Sequence, residues 1–189
     1  MRKIEVPVIT PILIALLFCI DMSVYTCIVL MSALLHECGH LFFIRLFSAE
    51  VEKIIILPVG AKIVVKSSML SYRKDIIISF GGCLSNLLLF LIFYRLYFPV
   101  AVANAFFFLL NILPIKGLDG GRILKLILLL RLSPDKAESV FCAISFVFVI
   151  LLWIVGVYLL MFCSANISLF TLSLFLIIDT VIGQTKSKK

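Results

Sequence analysis

Histidine is nearly missing from this sequence, with two in 189 residues, and charged residues make up only 14%. The six cysteines (Cys19, Cys27, Cys38, Cys83, Cys142, Cys163) form no C-x-x-C pair and lie in apolar runs, so neither a disulfide framework nor a thiolate zinc site is indicated. There is no internal repeat, no low-complexity tract and no glycine-rich dinucleotide or phosphate loop. What is plentiful is apolar: 63% of the residues are hydrophobic, where soluble domains carry about 45–50%. The composition excludes a soluble globular domain. It describes a polytopic membrane protein whose function must lie in its membrane part.

The apolar runs predict an all-α membrane fold of about six transmembrane helices, over residues 8–20, 24–47, 76–97, 99–113, 140–162 and 167–182 of a single domain, 1–189. Met1-Arg2-Lys3 before the first run resembles a signal peptide, but no A-x-A-like cleavage site follows. Between the second and third runs, residues 51–66 read as two β-prone segments around Pro58-Val59-Gly60, a short membrane-associated hairpin. Ser133-Pro134-Asp135 opens a helix, with an N-cap serine and proline at the first helical position.

Both histidines fall in one pattern, His36-Glu37-Cys38-Gly39-His40, inside the second apolar run. On a helix, residues four apart share a face, so His36 and His40 can reach one metal ion, with Glu37 about 100° round the helix. Imidazoles, a carboxylate base and an open position for water are the parts of a hydrolytic zinc site. Ionisable groups in a membrane helix are costly and mark function by default. Cys38, two residues on from His36, points away from that face. A third ligand is needed, and no histidine remains.

Charge placement orients the chain. With a cytoplasmic N-terminus and six spans, every one of the 17 Lys and Arg except Arg95 falls on or near the cytoplasmic side. The net charge of +7 is therefore a topology signal and an affinity for anionic lipid, not a nucleic-acid signature. Of the ten carboxylates, Asp119 and Asp179 are left as third-ligand candidates. Asp179 sits near the end of the last span. Asp119 lies in a helix break, Pro114-Ile115-Lys116-Gly117-Leu118-Asp119-Gly120-Gly121, and irregular backbone at membrane depth is tolerated where it is buried or lines a cavity. Asp119 is the expected ligand.

Taken in order, His36-Glu37-Cys38-Gly39-His40, Gly82-Cys83-Leu84-Ser85-Asn86 and Asn111 through Leu118-Asp119-Gly120-Gly121 resemble the site-2 protease family of intramembrane zinc metalloproteases. The Leu57-Pro58-Val59-Gly60 hairpin resembles its stage IV sporulation protein FB-like branch. The resemblance implies one zinc per chain on His36, His40 and Asp119, with Glu37 as the base that activates water. Asn86, Asn111, Pro58 and Gly60 would line the path of a membrane-protein substrate. It also implies a bacterial cell membrane, cytoplasmic N- and C-termini, a possible regulatory membrane partner and no nucleic acid. Cys83 and Gly117 stand where the family or the related branch often has proline. No CBS or PDZ-like domain is expected, so control by ATP or periplasmic signals does not follow. A membrane zinc-binding or transport protein is the alternative. It would need more ligands along a path, and the sequence has no further histidine.

Overall fold

The computed structural model describes residues 3–5, 23–49, 51–57, 60–65, 71–162, 173, 174, 176 and 177. They belong to two compact units, Met1–Leu110 and Asn111–Lys189. The expected spans 8–20 and, apart from the four residues just given, 167–182 lie outside the described residues, as do Pro58 and Asp179.

The first unit contains α1 (Val24–Leu46), α2 (Tyr72–Phe93) and α3 (Phe98–Asn111, whose last residue begins the second unit). It also holds three short strands, β1 (Lys3–Glu5), β2 (Val51–Leu57) and β3 (Gly60–Val65). The sheet order is β1-β2-β3. β2 and β3 pair antiparallel, from Val51 opposite Val65 to Leu57 opposite Gly60, with an irregularity between Val51 and Lys53. β1 lies parallel on the other edge of β2, Ile4 opposite Ile54. Nothing in the sequence announced this third strand, because three residues carry no readable period.

Each helix begins and ends for a local reason. Ser23 caps α1, its hydroxyl accepting from the Thr26 N–H at 3.4 Å. α1 closes in a Schellman motif: Ala49 N–H donates to Ile44 O and Ser48 N–H to Arg45 O, both at 3.0 Å, with Ser48 at φ 51°. α2 starts and stops four residues before the expected 76–97. Its first turn is polar, Tyr72-Arg73-Lys74-Asp75, so the hydrophobic run marked only the membrane part of a longer helix. Pro99 sits in the first turn of α3, where a missing N–H costs nothing. α3 ends at Asn111, ahead of Pro114.

α1, α2 and α5 (Pro134–Phe162) are long and apolar enough to cross a membrane, at 23, 22 and 29 residues. At 1.5 Å per residue they run roughly 34, 33 and 43 Å against a hydrocarbon core of about 30 Å. α3, with 14 residues, is shorter. Three spans are therefore described where six were expected. Large apolar side chains such as Leu34, Leu91, Leu109 and Ile154 are exposed, as suits helices that meet lipid on their outer faces. The chain is an integral membrane protein by this measure.

The second unit contains α4 (Asp119–Leu129) and α5. α5 starts at Pro134, with Ser133 O accepting from Ala137 N–H at 2.9 Å. The core of this unit is Ile115, Val149 and Leu176, with Leu113, Leu118 and Leu152 against it.

Candidate metal centre

The buried face of α1 is Ser32, His36 and Ile44, with the partly buried His40 in the same i, i+4 row. α2 turns a matching row toward it: Ile78, Gly82 and Asn86, all buried. The two helices meet at glycine. A side chain on Gly39 would strike Gly81 O, and one on Gly81 would lie 2.8 Å from Gly39 O. Small residues allow this close backbone approach, which is the usual device for packing membrane helices. The approach delivers α2's polar groups to the histidines.

Each imidazole is held by its Nδ1. His36 Nδ1–H donates to Asn86 Oδ1, and His40 Nδ1–H donates to the Ile78 carbonyl at 2.8 Å. A carbonyl can only accept, so His40 carries its proton on Nδ1. Asn86 has the same effect on His36, because its Nδ2 is directed at Ser32 O (3.3 Å) and Asn104 Oδ1 (2.8 Å), leaving Oδ1 for the ring. In the neutral rings both Nε2 atoms then bear lone pairs, and they lie 3.2 Å apart with the rings at 85°. Two lone pairs at that distance repel unless a proton or a metal ion stands between them. A tetrahedral zinc binding two imidazoles at about 2.0–2.1 Å sets their nitrogens roughly 3.3 Å apart. The donor pair fits the ion.

Gly82 completes the cradle. A Cβ at this position would lie 2.5 Å from His40 Nε2, 2.6 Å from His36 Nε2 and 2.7 Å from His36 Cε1, so the missing side chain leaves room for the two rings. Glu37 follows His36 on α1 and is half-buried. Cys38 is exposed.

A model of peptidase family M50 matches residues 24–101 and 93–152, which takes in both histidines, Gly82 and the helix break. The chain belongs to peptidase family M50. A zinc metalloprotease of Methanocaldococcus jannaschii is 25% identical over 157 residues, which cover 76% of this chain and 44% of that protein's length. The solved site-2 protease from Methanocaldococcus jannaschii shares the fold with a TM-score of 0.62 at 21% identity, over 95% of this chain and 89% of that one. The M50 chain thus spans less than half of the curated relative but most of the solved one.

The second unit of the M50 chain holds two more of the expected residues, Asn111 and Asp119. Asp119 is in the first turn of α4 with Leu118 as N-cap, a position where the helix dipole favours an anion. The loop before it is closely pinned. Lys116 N–H donates to Ser145 Oγ at 2.7 Å, and Leu118 N–H to Ile115 O at 3.1 Å. Gly120 and Gly121 leave room for the Ile112 and Ile115 carbonyls, which a side chain at either position would strike. Gly117 has φ 94°, whereas proline is locked near −65°. The departure from proline at 117 is thus a different backbone, and the loop closes through left-handed glycine instead. By contrast, Cys83 is fully buried in unbroken helix α2. Gly121→Ala is expected to lower stability by about 1–3 kcal/mol by overpacking. Thermal unfolding in detergent, followed by the fluorescence of Trp153, the single tryptophan, checks it.

Of the expected substrate residues, Gly60 is the first residue of β3 and Asn111 the last of α3. Asn86 is completely buried, and its amide is directed at His36, Ser32 and Asn104. It supports His36. Ser32 and Asn104 were missed. Their signal was present: Ser32 lies four residues before His36, and Asn104 is a lone amide in an apolar helix.

Proposed function

We propose that this chain is a zinc-dependent intramembrane endopeptidase of the site-2 protease type, cutting a membrane-associated precursor in or near its membrane segment. The observation that carries the reading is the pair of Nε2 lone pairs 3.2 Å apart, beside a glycine. His36 and His40 hold the ion, and Asp119 is the third ligand, supported by its place in the helix break and by its anionic oxygen, which suits zinc. One zinc is bound per chain. When bound, it supplies Lewis acidity toward the scissile carbonyl and the attacking water.

Glu37 accepts the water's proton on a carboxylate oxygen and returns it to the amide nitrogen as the C–N bond breaks. A substrate helix hides its carbonyls in its own hydrogen bonds, so it must unwind before cleavage. The hairpin is membrane-associated and supplies the edge for the unwound strand. β1 already occupies one side of β2, and β3 lies at the opposite edge of the sheet, so the peptide adds to β3 beside Gly60; Pro58 and Asn111 keep their expected roles as substrate contacts. The termini are cytoplasmic, the membrane is that of a bacterial cell, and the substrate is a regulatory factor of the kind handled by the sporulation branch.

The test is zinc content and cleavage on purified protein, against single-span substrates with and without glycine near the cytoplasmic end of the span. Wild type is expected to hold about one zinc and to cut the glycine-bearing substrates faster, because they unwind more easily. Asp119→Ala is expected to lose zinc and cleavage together. Zinc flux into liposomes, with no cleavage of any substrate, would replace this reading with zinc transport.

A further inference from the structure

We propose that Asn104 is a positioning residue that fixes the protonated side of His36 by holding the Asn86 amide in one orientation. The inference rests on the reading of His36 Nε2 as a metal ligand, and on a chain of hydrogen bonds contained wholly in the first unit. Asn86 and Asn104 are fully buried and Ser32 is 2% exposed, so no water substitutes for a misplaced partner.

Direction in this chain originates at a backbone carbonyl. Asn104 Nδ2 donates to Val100 O at 2.9 Å, the carbonyl one turn earlier in α3, and to Ser32 Oγ at 3.1 Å. A carbonyl cannot donate, so this end of Asn104 must be the NH2 group. Its Oδ1 therefore faces Asn86, which must answer with Nδ2, at 2.8 Å. The second Nδ2 hydrogen of Asn86 goes to Ser32 O at a longer 3.3 Å. Asn86 Oδ1 is then left to face His36 Nδ1, which must carry the proton and place the lone pair on Nε2.

Reversing the Asn86 amide would reverse the outcome. Nδ2 would face His36 Nδ1, the proton would move to Nε2, and that nitrogen could no longer bind a metal. Such a flip would set oxygen against oxygen at both Asn104 Oδ1 and Ser32 O. Asn104 is the nearer of the two. Its distance from the imidazole, with Asn86 between them, makes it a partner of a partner of the ligand, and such outer groups tune metal affinity by fixing ring tautomer and orientation. Amide pairs between membrane helices also serve as simple glue. Glue would affect stability but not the side of the ring that holds the proton.

The experiment uses full-length protein with 15N-labelled histidine in detergent, first metal-free and then titrated with zinc. Only two histidines are present, so each ring can be assigned with a His40→Gln variant. Wild type is expected to show the proton on Nδ1 of both rings. In Asn104→Leu, His36 should gain the Nε2–H form while His40, held by Ile78 O, stays unchanged, and zinc affinity should fall about 10–100-fold. Asn104→Gln, which keeps an amide oxygen for Asn86 to answer, should retain more of the Nδ1–H form than Asn104→Leu. An unchanged His36 tautomer in Asn104→Leu overturns the proposal. If wild type binds no zinc while the tautomers shift as stated, the metal reading fails and the positioning role of Asn104 stands.

Discussion

Gly82→Ala is expected to lower zinc affinity by at least about 100-fold, the upper end of what loss of supporting contacts does at metal sites. The new methyl group would sit 2.5 and 2.6 Å from the two Nε2 atoms, far inside van der Waals contact. Relief requires the rings to swing out, which breaks the bonds to Asn86 and Ile78 O, or α2 to back away, which opens the Gly39–Gly81 contact. Either way the two lone pairs no longer converge. The cost to the metal-free fold should be smaller, about 1–3 kcal/mol for overpacking, because the nearest atoms are side-chain tips. A competition titration with a zinc chelator, set beside thermal unfolding of the metal-free protein, separates the two effects. Gly82→Ala binding zinc as tightly as wild type would mean that the rings need not keep these positions to hold the ion.

Glu37→Gln is expected to leave zinc content unchanged and to slow cleavage by about 10²–10⁴-fold, the contribution of a general base. Glutamine keeps the shape of the side chain and its place after His36 on α1, but an amide oxygen does not take a proton from water at neutral pH. The histidines are untouched, so the ion stays. Single-turnover cleavage of a glycine-bearing span, measured with zinc content on the same sample, checks both halves. Cleavage at the wild-type rate would remove Glu37 from the chemistry and send the search to another carboxylate.

Serine and proline mark helix starts in the sequence because capping and the missing N–H of proline act locally. α1 lies where its run predicted, and Pro134 opens α5. α2 shows the limit: a helix continues past the apolar run into Tyr72–Asp75, and hydropathy marks the bilayer, not the hydrogen-bonded element. α3, at 14 residues, shows that an apolar run bounded by proline can be a short helix.

The sequence by itself determined that this is a membrane protein with its two histidines on one helix face, since composition and a four-residue spacing need no partner to be read. It also marked the glycine-rich break that bears Asp119. Tertiary structure alone decided what meets that face. Asn86 lies 50 residues from His36, and Asn104 lies 72 from Ser32. Periodicity tells which side chains share a side, but not which helix crosses there or at what height. That crossing is set by Gly39 against Gly81. It sets Asn86 against His36 and Gly82 against the two rings. A glycine carries no pattern of its own, so its role could be seen only from what would fill the space it leaves.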